Sequence, residues 1–107
     1  MSKYLVRFSG KNISDKERKV EIVAVCALHA KEVIETRYKG AVVSNPIRIK
    51  GEPATLADLM TMRHYAINGI NVQESKKRFA LIVKSIKEST DVVSFQLAQK
   101  YIPEIPD

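Results

Sequence analysis

The hydrophobic positions in residues 19–50 follow two different periods in turn. A β-branched run over residues 20–25 leads into an amphipathic segment over residues 27–38, and a second β-branched run covers residues 41–49. Apolar positions that recur every two residues are typical of a strand, and those that recur every 3.6 residues are typical of a helix. This stretch therefore predicts a strand, a helix and a further strand.

The predicted helix over residues 27–38 has one apolar face and a well-marked end. Its apolar stripe consists of Ala27, Ala30, Val33, Ile34 and Tyr38. Gly40 suits the left-handed residue that often ends a helix. In the following strand, Pro46 cannot donate a ladder hydrogen bond, so that strand is expected at a sheet edge or with a bulge.

Two more elements flank this unit. Residues 3–8 alternate between apolar and polar positions, which predicts a first strand, and the polar stretch that follows predicts an antiparallel hairpin with a long loop. Residues 55–66 predict a second helix with Thr55 as N-cap, ending at Asn68-Gly69. Its expected buried residues are Leu56, Leu59 and Met60.

Residues 71–88 support two interpretations. As a helix, the segment would be capped by Asn71 and would bury Phe79, Ile82, Val83 and Ile86 on one face. As a strand, residues 78–87 are rich in β-branched side chains. We prefer the strand, because three cations in the first turn of a helix that begins near Ser75 would oppose its macrodipole. Residues 92–101 also alternate and predict a last strand.

The sequence therefore predicts one α+β domain over residues 1–107, with residues 102–107 as an extended tail. Its expected architecture is two-layered, in the order β-β-α-β-α-β-β, with a mostly antiparallel sheet and both helices on one face. Four strands and three helices form the alternative.

The charge of the chain favours polyanionic partners. Its 18 Lys and Arg residues exceed its 12 Asp and Glu residues, which gives a net charge of +6. If Tyr4, Val6 and Phe8 face the helices, strand parity places Arg7, Arg48, Lys50 and Lys100 on the open side of the sheet. The cations predicted to bind phosphates are Lys76, Lys77, Arg78, Lys11, Lys16, Arg18, Lys19, Arg7, Arg48 and Lys50. The alternative is that these charges only keep the surface soluble.

Aromatic placement narrows the kind of nucleic-acid binding that is expected. Proteins that bind single strands stack bases on exposed aromatic side chains. Here Tyr4, Phe8, Phe95 and Tyr101 are predicted to face the core. Binding to the backbone of a duplex is therefore favoured over base stacking.

Cys26 and His29 are the only residues whose spacing suggests catalysis. The start of a helix can lower the pKa of a thiol, and His29 follows within one turn. The preferred interpretation is a buried Cys26 beside a solvated His29, and the protein is not expected to be an enzyme. Two histidines, among them His64, and one cysteine in separate elements do not form a metal set, and the four glycines are isolated, so neither a metal nor a cofactor is predicted.

A single cysteine, no secretory signal and no long apolar run predict a cytoplasmic protein without a membrane span. We expect a small basic, non-enzymatic protein that binds nucleic acid or assists its binding through surface Lys and Arg. The alternative function is a protein-interaction module, such as an inhibitor or adaptor, that binds an acidic partner surface. Self-association through edge strands is a further expectation.

Overall fold

Within residues 2–10 and 18–106, the part of the chain that the computed structural model describes, an antiparallel sheet combines with four helices. The strands are β1 (Lys3–Ser9), β2 (Arg18–Val23), β3 (Val42–Val43) and β4 (Ile47–Arg48). The helices are α1 (Ala27–Arg37), α2 (Thr55–Ile67), α3 (Val72–Ser89) and α4 (Val92–Ala98). The predicted α+β class and the antiparallel sheet are confirmed.

β1 forms the centre of the sheet, with β2 on one side and β3 and β4 on the other. Tyr4, Val6 and Phe8 are buried, and the residues between them are exposed or half-buried. α1 covers this face with the apolar stripe that its sequence predicts, contributing Ala30, Val33 and Ile34 to a first core. After α1, Gly40 adopts a φ of 83°, as expected for a residue that follows a helix end.

The strand predicted over residues 41–49 is divided by a bulge next to Pro46. Phe8 lies opposite Val43, and Leu5 lies opposite Ile47. The interval from residue 8 to residue 5 is three residues on β1, whereas the interval from 43 to 47 is four on its neighbour. One additional residue on the segment that pairs with β1 defines a β-bulge, which confirms the bulge predicted from Pro46.

The bulge exchanges the two faces of β4. Arg48 lies opposite Tyr4 and therefore shares the face that α1 covers, while Ile47 lies opposite Leu5 on the open face. Ile47 is accordingly 61% exposed. The prediction that Arg48 faces the open side was wrong, because the additional residue shifts the alternation by one position.

α2 and α3 pack against each other as an antiparallel helical hairpin. The N-cap position of α2 is Ala54 rather than the predicted Thr55, and it makes no side-chain cap bond. Instead, the N–H of Thr55 donates to the hydroxyl of Ser2 at 2.7 Å. A free N–H at the start of α2 is thus satisfied from the start of β1, which joins the sheet to the hairpin.

The two strands predicted in the last third of the chain were wrong. Residues 78–87 belong to α3, and most of residues 92–101 form α4 and the turn after it. α3 begins at Val72, so the basic triplet at residues 76–78 lies beyond the first turn and the macrodipole objection does not apply. The helical alternative for residues 71–88 was therefore correct.

A second core lies where the hairpin meets α4. It contains Val25, Leu59, Ile86 and Ala98, with Phe79 and Phe95 packed against them. The chain is elongated, with extents of 53 × 26 × 20 Å and a radius of gyration of 15.6 Å. A compact chain of this length would have a radius of about 13 Å. Much of the α2–α3 hairpin is consequently exposed.

Candidate nucleic-acid interface

α3 presents one apolar face and one cationic face. Successive residues of a helix are about 100° apart, so its positions divide cleanly around the axis. Ser75 and Ile86 are buried, and Phe79, Ile82 and Val83 are half-buried beside them. Lys76, Lys77, Lys84 and Lys87 fall together within an arc of about 100° on another side. These four lysines form what we call the α3 lysine face.

The α3 lysine face is fully accessible. All four lysines are exposed, as is Ala80 between them. Lys76 and Lys87 are eleven residues apart, which corresponds to about 16 Å along the helix. Measured along the axis of a duplex, that length corresponds to about five base pairs.

The ammonium groups of this face have no carboxylate partner among the described residues. The ion pairs that join described side chains are Arg37–Asp91 at 2.6 Å and Lys100–Glu32 at 3.0 Å. Glu74 and Glu88 lie on the same helix but outside ion-pair distance of the four lysines. The four ammonium groups are therefore not held in ion pairs with described carboxylates.

The predicted basic triplet is divided between two sides of α3. Arg78 lies about 100° beyond Lys77 and lines a groove of about 320 Å³ between α2 and α3. Asp58, Met62, Leu81 and Ile82 complete that groove. Arg78 is therefore not part of the α3 lysine face.

The structure does not bring the other predicted cations onto this face. Arg7 and Lys19 lie opposite each other on the open side of the sheet, Arg18 is exposed opposite Phe8, and Lys50 lies in the turn after β4. Neither β1 nor β2 has substantial contact with α3. Lys11 and Lys16 lie outside the described residues.

Lys84 and Lys87 are the members of the face that sequence reasoning missed. With residues 78–87 taken as a strand, Lys84 has no relation to Lys76 and Lys77. In a helix, Lys84 follows Lys77 by seven residues and Lys87 follows Lys76 by eleven, and both spacings place the lysines on one side. The stripe of Phe79, Ile82, Val83 and Ile86 was the signal that could have revealed them.

Lys100 and Tyr101 attach the segment after α4 to α1. The phenol of Tyr101 donates to one oxygen of Glu32, and Lys100 donates to the other at 3.0 Å. These bonds lower the pKa of Glu32, and the bond to Glu32 raises the pKa of Tyr101 to about 12. Lys100 therefore neutralises a carboxylate here, and the expectation that it lies on an open sheet face was wrong.

His29 is buried, and both of its ring nitrogens are occupied by backbone groups. Nδ1 accepts the N–H of Val25 at 3.1 Å, and Nε2 lies 2.8 Å from the carbonyl oxygen of Ser94. Burial lowers the pKa of His29. The prediction of a solvated His29 was wrong, and the ring has no nitrogen left to act as a base for Cys26. Cys26 is half-buried at the N-cap position of α1 and packs against the second core.

The core-facing placement predicted for the aromatic residues is confirmed. Tyr4 and Phe8 are in the first core, and Phe95 and Tyr101 pack against the second, although from α4 and its following turn. Among residues 2–10 and 18–106, no group of three metal-ligating side chains forms. No helix in those ranges is long and apolar enough to cross a membrane.

Comparison of the chain with family models, with curated proteins and with solved structures finds no match. The function is therefore inferred from the chemistry of the surface itself.

Proposed function

We propose that this protein binds the backbone of nucleic acid through the α3 lysine face. The observation that carries the proposal is the convergence of four exposed lysines on one side of one helix, without a carboxylate partner among the described residues. Lysine ammonium groups are compact cations that suit phosphate oxygens. A regular helix holds them in a row whose length corresponds to several phosphates.

The mode of binding follows from which side chains are present and which are absent. Phosphate contacts give affinity and orientation but no direct reading of sequence. The α3 lysine face contains no aromatic side chain on which bases could stack. We therefore expect binding to duplexes of any sequence, with little preference among them.

Salt dependence measures the number of phosphates that are neutralised. Each contact contributes about 0.9 to the slope of log affinity against log salt. If all four lysines contact phosphates, the α3 lysine face accounts for a slope of roughly 3.6. This quantity distinguishes local contacts from the general attraction of a basic protein.

The test is a titration of a labelled duplex at several salt concentrations with two variants of equal charge. In one, Lys76, Lys77, Lys84 and Lys87 are replaced by Gln. In the matched control, Lys3, Lys31, Lys39 and Lys50 are replaced by Gln, which removes the same charge from β1, α1 and loop positions. We expect the first variant to lose most of the salt slope and the control to lose less than about one unit.

Equal losses in the two variants would contradict the proposal, since they would show that only net charge matters. Circular dichroism and thermal melting would accompany the titration. Substitutions of exposed lysines on a helix surface are expected to change the free energy of unfolding by less than about 0.5 kcal/mol. A loss of binding with an unchanged melting temperature can then be attributed to the α3 lysine face.

A second candidate function is a protein-interaction module that uses the open face of the sheet. Ile47 and Val42 are 61% and 72% exposed on that face, which also carries the cations Lys3 and Lys19. A partner with an acidic, partly apolar surface would complement this combination.

Nuclease treatment and an Ile47→Asp variant separate the two functions. A complex that survives nuclease and is lost in I47D, but not in the four-lysine variant of α3, would favour this candidate.

A further inference from the structure

β2 lies at one edge of the sheet, and its hydrogen-bond pattern shows which backbone groups face outward. The N–H of Ala24 donates to the carbonyl oxygen of Ser2 at 3.1 Å, in register with the β1–β2 pairing. In an antiparallel pair, the residues that bond to the neighbouring strand alternate. Val20 and Ile22 therefore bond to β1, while Lys19, Glu21 and Val23 direct their N–H and C=O groups away from the sheet.

These outward backbone groups have no partner among the described residues. β2 pairs with β1 alone there, and none of the turn, loop and cap hydrogen bonds of the described chain involves Lys19, Glu21 or Val23. An unpaired row of this kind is a template for another strand. The side chains of Lys19 and Glu21 are exposed on the open face and carry opposite charges two positions apart.

We propose that a second copy of this chain pairs with β2 in antiparallel orientation, with Val20 opposite Val20 of the second copy. In this arrangement Lys19 of each copy lies opposite Glu21 of the other, so two opposite-charge pairs form across the two-fold axis. Lys19 and Glu21 are also the residues whose backbone groups face outward. The same positions therefore supply both the hydrogen bonds and the charge complementarity.

Charge selects this register over the neighbouring one. A shift that places Glu21 opposite Glu21 of the second copy also aligns the outward backbone groups, but it brings like charges together at the axis. Directly opposed unlike charges stabilise a strand pair, and like charges destabilise it. Charged side chains, Lys above all, commonly protect an edge strand, because like charges repel each other when a second copy pairs with it. β2 carries both signs, in an order that is complementary to itself.

The experiment uses sedimentation velocity on the full chain, with charge reversals at the two positions. Wild-type protein should show a monomer–dimer equilibrium at concentrations up to about 1 mM. Lys19→Glu and Glu21→Lys should each raise the dissociation constant at least about tenfold, because one reversal affects both symmetric pairs. An equimolar mixture of K19E and E21K should associate again, since one variant then has two carboxylates along its edge and the other has two ammonium groups.

Three outcomes would overturn the proposal. The first is a wild-type chain that stays monomeric throughout this concentration range. The second is a dimer that neither reversal weakens, and the third is a mixture that associates no better than its components. The inference depends on β2 alone. The four-lysine variant of α3 should therefore dimerise as the wild type does, whatever its effect on nucleic-acid binding.

Discussion

His29 on α1 donates its Nε2 proton to the carbonyl oxygen of Ser94 on α4, across 2.8 Å. The direction of this bond follows from the other side of the ring. A backbone N–H can only donate, so Nδ1 must accept the proton of Val25, and the remaining proton of the neutral imidazole is on Nε2. A neutral, buried histidine thus connects α1 with Val25, which follows β2, and with α4.

This arrangement predicts that the protein loses stability as the pH falls below about 6.5. Burial lowers the pKa of His29 in the folded state, so the unfolded chain takes up its proton at a higher pH. The unfolded state then binds more protons, and the free energy of unfolding decreases with decreasing pH. Protonation would also set a new N–H of Nδ1 against the N–H of Val25.

Urea denaturation between about pH 7.5 and pH 5.5 measures this dependence. His29→Gln should abolish most of it, and His64→Gln, which removes the exposed histidine of α2, is the matched control. The pKa values of Glu32 and Asp91 are also lowered, so protonation of these carboxylates also decreases the free energy of unfolding. That decrease occurs only in a more acidic range than the one measured here. A pH dependence that persists in H29Q would contradict the assignment.

Replacement of Ser2 by Ala is expected to destabilise the junction between the sheet and α2. The hydroxyl of Ser2 accepts the N–H of Thr55 and donates to the carbonyl oxygen of Pro53, and Ser2 is fully buried. The loss of a helix-capping bond costs about 1 kcal/mol, and the partly buried carbonyl of Pro53 loses its donor as well. A decrease of about 1–2 kcal/mol in the free energy of unfolding is therefore predicted. Ser9→Ala, at the exposed end of β1, should change stability by less than about 0.5 kcal/mol.

The hydrogen bond between Tyr101 and Glu32 predicts a phenol that titrates late. The carboxylate of Glu32 raises the pKa of Tyr101 to about 12, chiefly by accepting its proton in a hydrogen bond. Glu32→Gln should therefore bring the pKa of Tyr101 back toward 10. Ultraviolet difference titration of the wild type and of E32Q, each compared with its Tyr101→Phe derivative, measures the change. Glu35→Gln removes a more remote charge on α1 and should have a much smaller effect; equal effects would contradict the hydrogen-bonded pairing.

The first half of the fold could be predicted because its hydrophobic periods change sharply. The strand, helix and strand of residues 20–49 are present, and Pro46 indicated a bulge. The sequence does not reveal where the additional residue is accommodated, since several positions around Pro46 satisfy the same local rule. Without that position, the faces of Ile47 and Arg48 could not be assigned.

The last third of the chain shows how tertiary packing overrides β propensity. The alternation of apolar residues that begins at Val93 suggested a strand, yet Val93 is 52% exposed and contributes little to a core. The helix depends instead on Asp91, which accepts the N–H of Ser94 at 2.8 Å as an N-cap, and on the burial of Ala98. In the sequence, the Asp91 cap and the small residue Ala98 are weaker signals than the alternation of apolar and polar residues that predicts a strand.

The prediction of the candidate interface depended on the same choice between strand and helix. Lys76 and Lys77 were selected because they are adjacent cations, a property that is independent of secondary structure. Lys84 and Lys87 belong with them only because residues 72–89 form a helix. Arg78 was selected by adjacency and is placed on another side by the same geometry.

The most direct test of the α3 lysine face is a nuclear magnetic resonance titration of isotope-labelled protein with a short duplex at low salt. The account predicts that the largest shifts occur in the side-chain and backbone signals of Lys76, Lys77, Ala80, Lys84 and Lys87. Arg78 and the cations of β1 and β2 should respond weakly. Raising the salt concentration should reverse the shifts on α3 together. Shifts concentrated on Arg7, Lys19 and Lys50, with α3 unaffected, would contradict the central claim.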